Sequence, residues 1–217
     1  RALGPGGLTA MLSRQQFEQR LRSAIASVPH AKGVSNHMGS RLTSMPQQMR
    51  WLMDVLRMRH DWMFLDSRTT SDSVALSIAR DAGLRTTTRD VFLDNDGDVG
   101  PIRARYREFI AKARLHGSAV AIGHPYPETL QVLAEELPRL IRQNATHADG
   151  RKSALQAPSA RQIKLVPLSA LIAKRAAAFS ARQARQQAAN KRPHRQAASS
   201  TTVPPQPSWV ETHPIHR

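Results

Sequence analysis

Along the chain, stretches of helical periodicity alternate with short apolar runs. Phe17, Leu21, Ala24, Ile25 and Val28 recur at helical spacing, and Ser13 with Gln16 forms a capping-box pattern just before them. Gly33–Val34 is a short candidate strand that leads into "SNHMGSR". "SMPQQMRWLMDVLRMR" predicts a helix with Pro46 in its first turn and a stripe of Met49, Leu52, Met53 and Leu56, so its methionines read as core filler. "WMFLDS" reads as a buried strand ending at Asp66. "SDSVALSIARDAG" reads as a helix closed by Gly83, with Asp72 as its cap. "LRTTTRDVF" holds a β-branched strand running into Arg89–Asp90. A helix is expected between Pro101 and Gly117, a strand at "SAVAIGH", and a helix at "PETLQVLAEELPRLIRQ" bent or broken near Pro138. "IKLVPLSALI", Ile163 to Ile172, is expected to be a last strand with a short helical turn.

Strands separated by helices predict an α/β fold with a parallel sheet, either barrel or doubly wound. The first ten residues are Gly/Pro-rich and read as loop, and the first clear element is a helix. A barrel would place strands before it, so the fold is expected to lack its first strands. Two regions are expected: a domain over 1–173 and a basic, low-complexity, disordered tail over 174–217, with an Ala-rich start that favours helix.

In parallel α/β folds the loops after the strand C-termini build the active site. The unusual polar residues fall there: Asn36 and His37, then Asp66, Ser67 and Arg68, then Arg89 and Asp90 with Asp94, Asn95 and Asp96 close behind, then Gly123 and His124. Each has a plain alternative. His37 could bond to backbone in a loop, Arg68 could pair with Asp66 or Asp90, and His124 could simply end a strand before Pro125. "DNDGD", Asp94 to Asp98, resembles a calcium loop but lacks the distal Glu and flanking helices, and is read as a turn.

Charge changes the picture only at the C-terminal end. The 217 residues carry a formal net charge of +16. From Lys174 onward there are eight Lys or Arg and one acid, Glu211. Contact of this tail with anionic surfaces is expected. Specific nucleic-acid binding is not, because Phe179 and Trp209 are its only aromatics. With no cysteine, disulfides, thiolate metal sites and cysteine nucleophiles are excluded. There is no G-x-S-x-G elbow, P-loop or dinucleotide fingerprint, and no apolar run approaches a membrane span. Two histidines and several carboxylates suit a zinc-like ion with an open position, and hence hydrolysis of an ester or amide.

The segments "SNHMGSRLT", "FLDSRTT", "RDVFLDND" and "AIGHPYPETL", with the closing "IKLVPLSALI", resemble the divergent polysaccharide deacetylase family, distant relatives of the NodB-type carbohydrate deacetylases. The resemblance runs from about Leu3 to Ile172. It implies an irregular (β/α) barrel, a divalent metal (usually zinc), an acetylated polysaccharide or peptidoglycan-type substrate, and a periplasmic or exported setting. On it, His37 and His124 are metal ligands, with His124 alternatively the catalytic acid. Arg89 and Asp90 are catalytic support, and Asn36, Arg41, Asp66 and Arg68 contact substrate. Arg41 stands where the family's usual H-x-x-x-H motif has its second histidine, and no paired aspartates occur. Little or no activity is therefore expected of this chain alone. The rival expectation is a non-catalytic glycan-binding or cell-envelope protein that keeps the barrel.

Overall fold

A computed structural model describes Gly4, residues 6–148 and residues 162–190. Helix α1 (Arg14–Ala26) starts as its sequence dictates. The Ser13 hydroxyl accepts the Gln16 N–H at 3.3 Å and the Gln16 side chain accepts the Ser13 N–H at 3.0 Å. Its buried stripe is Phe17, Leu21 and Ile25, while Val28 lies past the helix end and is exposed. After strand β1 (Gly33–Ser35) and the single turn α2 (Ser40–Thr43), helix α3 (Pro46–Arg57) has Pro46 in its first turn. Met49, Leu52, Met53 and Leu56 of α3 are buried against α1 and against α4 (Ala75–Asp81). Phe64, on strand β2 (Met63–Asp66), is fully buried in the same cluster. Each such side chain contributes about 1.5–3 kcal/mol by leaving water.

The strands keep chain order. β1, β2 and β3 (Arg85–Thr88) form a parallel three-stranded sheet, with Val34 opposite Phe64 and Phe64 opposite Thr86. β4 (Val91–Phe92) and β5 (Ala121–Ile122) form a second parallel pair. Helices α5 (Val99–His116) and α6 (Pro127–Ala148) pack over that pair around Ile102, Tyr106, Ile110, Val132 and Leu140. Each sheet therefore has its own apolar cluster, and the described strands make two sheets rather than a closed ring.

The two sheets meet at one dipeptide. The Arg89 N–H donates to Asp66 O at 3.1 Å, toward β2, and the Asp90 N–H donates to Val120 O at 2.8 Å, toward β5. The single strand expected in "LRTTTRDVF" is thus two strands with a change of partner between them.

Other expectations are corrected. Asp72 does not cap α4: its carboxylate accepts the Ser71 hydroxyl, and the Ser73 hydroxyl accepts the Ala75 N–H instead. Pro138 does not break α6. Val132 and Leu140 are buried on either side of it, and Arg103 of α5 grips Glu135 and Glu136 at 2.7 and 2.5 Å, so tertiary contacts hold the helix across the missing N–H. Ile163 to Ile172 contains no strand. Residues 162–167 belong to no regular element, and after Pro167 the chain enters helix α7 (Leu168–Asn190). Pro167 fixes φ and lacks a donor, while its carbonyl accepts the Ala170 and Leu171 N–H groups.

The chain divides into two units after Phe179. Lys174 and Arg175, counted with the basic tail on composition, bond back into the first unit. Lys174 donates to Gly117 O at 2.7 Å, and Arg175 reaches Thr87, Thr88, Asp90 and Ser118. Of the second unit, residues 180–190 are helical and exposed, and the disordered reading of 191–217 lies outside the described residues.

Candidate functional site

The loop after β1 is tied to the loop after β2 before any ligand chemistry is considered. Asn36 accepts the Ser67 N–H at 2.8 Å and donates to Met38 O at 3.3 Å. The hydroxyls of Ser35 and Ser67 lie 2.8 Å apart. Asn36, expected to touch substrate, thus has its amide committed to loop structure. Asp66 is 1% exposed, with one carboxylate oxygen accepting the Arg68 N–H and the other the Ser73 hydroxyl, both at 2.8 Å. It braces its loop from below and does not reach the surface.

Arg68 is exposed and has a left-handed backbone, φ 46°. Non-glycine residues adopt that conformation at a cost and only when the surroundings hold it. Here Asp66 holds its N–H, and Arg89 donates to both Ser67 O and Arg68 O, the latter at 2.9 Å. Burial, with the Arg68 charge close by, pushes the Arg89 guanidinium below its usual range. Arg89 also lies over the Phe92 ring, 5.2 Å from its centroid.

From Phe92 the contacts continue to the histidines. Phe92 meets the His124 ring edge-on at 5.6 Å, and His37 meets His124 the same way at 5.7 Å. Tyr126 stacks on His124 at 4.9 Å and is exposed. The two histidines expected to act together are therefore together, although one follows β1 and the other follows β5. His37, Asn36 and Arg41 line a cleft of about 730 Å³ with Leu8, Leu42 and Met49 on its apolar walls. Arg41 is exposed on α2 and has no hydrogen bond or ion pair among the described residues.

Asp94, noted close behind the third strand end but read as part of a turn, is the carboxylate whose role the sequence did not reveal. Its side chain is 0% exposed and lies 3.0 Å from His124 Nδ1. Its other oxygen accepts the His124 N–H and the Thr129 hydroxyl. Gly123 permits this approach, because a Cβ there would stand 3.1 Å from the Asp94 carboxylate. The signal was positional: Asp94 comes two residues after β4 just as His124 comes two after β5, and β4 pairs with β5. The turn expected at "DNDGD" is present, with Asp98 N–H directed at the Asp96 side chain, but Asp94 belongs to the histidine instead.

Asp90 is engaged elsewhere. Its carboxylate accepts the Val120 N–H at 2.6 Å and pairs with Arg175 at 2.5 Å. Val120 precedes β5 and His124 follows it, on the order of 10 Å further along at strand rise. The Asp90 carboxylate, expected to give catalytic support, is thus held by Val120 and Arg175.

A divalent metal can be tested against this donor set. Two imidazoles are donors of the kind zinc takes, and the carboxylate on His124 Nδ1 is the outer partner such ligands have. No group of three His, Asp or Glu that could hold a metal ion occurs among the described residues. The fit is that of two donors of a site.

An uncharacterized protein of Haemophilus influenzae is 43% identical over 135 residues, 62% of this chain and 48% of its own length. The uncharacterized protein YibQ of Escherichia coli is 40% identical over 124 residues, 57% of this chain and 39% of its own. The chain thus spans less than half the length of these curated relatives. The crystal structure of an uncharacterized protein of Agrobacterium tumefaciens shares the fold, with a TM-score of 0.61 at 23% identity over 77% of this chain and 61% of that one. No helix among the described residues is long and apolar enough to cross a membrane. The segments that converge around His37 and His124 fall within residues 1–172, which match the family model of the divergent polysaccharide deacetylases, and the chain belongs to that family.

Proposed function

We propose that this domain serves metal-dependent removal of acetyl groups from a polysaccharide, with His37 and His124 as the imidazole donors to a divalent cation, zinc by donor type. One observation carries the reading: rings from opposite ends of the strand order meet at 5.7 Å, one of them backed by a buried carboxylate. When bound, the cation would supply a Lewis acid for the acetyl carbonyl. The chain's own groups do the rest. Asp94 holds the proton on His124 Nδ1 and so leaves Nε2 as the free donor. Phe92 packs edge-on and Tyr126 stacks against the imidazole, fixing its orientation. Arg89 braces the loop that carries Arg68. A periplasmic or exported setting, where such polymers are found, goes with this reading.

Equilibrium dialysis against zinc tests it. His37→Ala and His124→Ala are each expected to weaken zinc binding at least about tenfold, the size of effect seen when even an outer partner is lost. Zinc affinity unchanged in both variants would overturn the assignment, as would acetate release from an acetylated glycan that persists in both. A second reading, glycan binding without hydrolysis, is favoured by Arg41, a guanidinium on the cleft wall with no partner among the described residues. Glycan binding by a metal-free protein, insensitive to His37→Ala, would select it.

A further inference from the structure

The start of α6 departs from what the helix itself asks for. The Tyr126 C=O accepts the Leu130 N–H at 2.9 Å and the helix begins at Pro127, so Tyr126 occupies the cap position. That position favours Ser, Thr, Asp or Asn, whose side chains accept the free N–H groups of the first turn. A tyrosine ring cannot reach back to them in that way. Where a residue breaks its local rule, a second demand on it is expected.

The ring is also held firmly. Pro125 has a fixed φ, and Pro127 confines the residue before it to extended conformations. The Thr129 hydroxyl donates to Asp94 at 2.9 Å, which ties the first turn of α6 to the carboxylate behind His124. The Tyr126 ring lies on the His124 imidazole, with centroids 4.9 Å apart and planes 28° from parallel. Tyr126 is nonetheless 37% exposed. Among the described residues its hydroxyl has no hydrogen bond, and its ring has no second aromatic or cationic neighbour.

We infer that Tyr126 is the platform for one sugar ring of the substrate, and that this sugar is the neighbour of the one being deacetylated. The inference rests on the glycan reading above and adds a second subsite to it. The C–H faces of a pyranose are flat and apolar and stack on an aromatic face, while a phenol hydroxyl meets the hydroxyls at the sugar's edge. Tyr126 stands between a sugar stacked on its outer face and the imidazole. The sugar whose acetyl group reaches His124 is therefore a different residue of the same glycan chain. The site reads at least two consecutive sugars, and a monosaccharide engages only one subsite.

The experiment is calorimetric titration of the full chain with N-acetylglucosamine and with its β-1,4-linked tetramer. The quantity read is the ratio of the two affinities, which favours the tetramer. Tyr126→Ala is expected to lower that ratio roughly two- to tenfold, the scale of one aromatic stack, and Tyr126→Phe to keep most of it. Tyr126→Leu keeps an apolar contact with His124 without the flat face, and is expected to lower the ratio as alanine does. In proton NMR of the bound tetramer, C–H resonances of one sugar should move upfield under the ring current and lose that shift in Tyr126→Ala. A ratio unchanged in the Ala and Leu variants, including equal losses for both sugars, means that the ring only orients His124. That result overturns the inference and leaves the glycan reading standing, as does equal binding of the two sugars by the unaltered chain. An upfield shift that persists in Tyr126→Ala assigns the stack to another ring and overturns it too. Binding of neither sugar by the unaltered chain overturns both readings.

Discussion

Replacing Arg175 with alanine is expected to destabilise the folded domain by about 2 kcal/mol, although the residue lies outside the stretch that matches the family. Its guanidinium donates from all three nitrogens. Nη2 meets Asp90 at 2.5 Å, Nη1 meets the Thr87 hydroxyl at 2.8 Å, and Nε meets the Ser118 hydroxyl at 3.1 Å. Hydrogen bonds to charged groups are each worth about 1.5–3 kcal/mol. Three reductions apply. The Arg175 and Asp90 side chains are 23% and 28% exposed, so water replaces part of what is lost. The Val120 N–H still supports Asp90 in the variant. The freed side chain also no longer carries an ordering cost of up to about 2 kcal/mol. A net loss of about 2 kcal/mol corresponds to a fall in Tm of roughly 4–8 °C for a domain of this size. Urea unfolding followed by circular dichroism measures it, and a double-mutant cycle with Asp90→Asn isolates the pair, with a coupling of about 1–2 kcal/mol expected. Strict additivity in the cycle, or a loss for Arg175→Ala below about 0.5 kcal/mol, would refute the reasoning and leave α7 loosely attached.

Two further substitutions probe the frame of the site. Asp94→Asn turns one of the two oxygens that face His124 Nδ1, the His124 N–H and the Thr129 hydroxyl into an NH₂, and should cost about 1–3 kcal/mol in thermal unfolding while weakening zinc binding roughly tenfold; an unchanged zinc affinity would separate Asp94 from the site's chemistry. At Gly33 an added Cβ would stand 2.5 Å from the Met63 carbonyl oxygen. Gly33→Ala should therefore push β1 away from β2 and lower stability by about 1–3 kcal/mol, read as a shift in the urea midpoint, and a midpoint that does not move would mean the strands part at no cost.

The elements legible from sequence are those whose causes are local. Ser13 and Gln16 cap α1 through bonds three residues apart, and the apolar spacing of α3 is the spacing of its buried face. The face carrying the candidate site was legible too, because strand ends are marked by where apolar runs stop. What sequence could not reveal depends on residues far apart in the chain. Asp90 takes its partner from 85 positions away, and that partner looked like part of a solvated tail. Asp94 sat in a run of acids and glycine typical of a turn, and its real partner, His124, lies 30 positions on. Residues 163–172 read as a strand because Ile163, Leu165 and Val166 are apolar. Leu165 and Val166 are in fact exposed, and Pro167 turns the chain into a helix.

The seam at Arg89 and Asp90 also bears on which length changes this fold can absorb. Two adjacent residues there serve different parts of the fold, one bracing the loop under Arg68 and the other anchoring α7. Asp90 lies in a bend between β3 and β4, and both residues have N–H groups and side chains committed to partners. Inserting or deleting one residue between Thr88 and Val91 is expected to pull at least one of them off its partners. Residues 95–98 are exposed, so a length change there is expected to cost less than one between Thr88 and Val91.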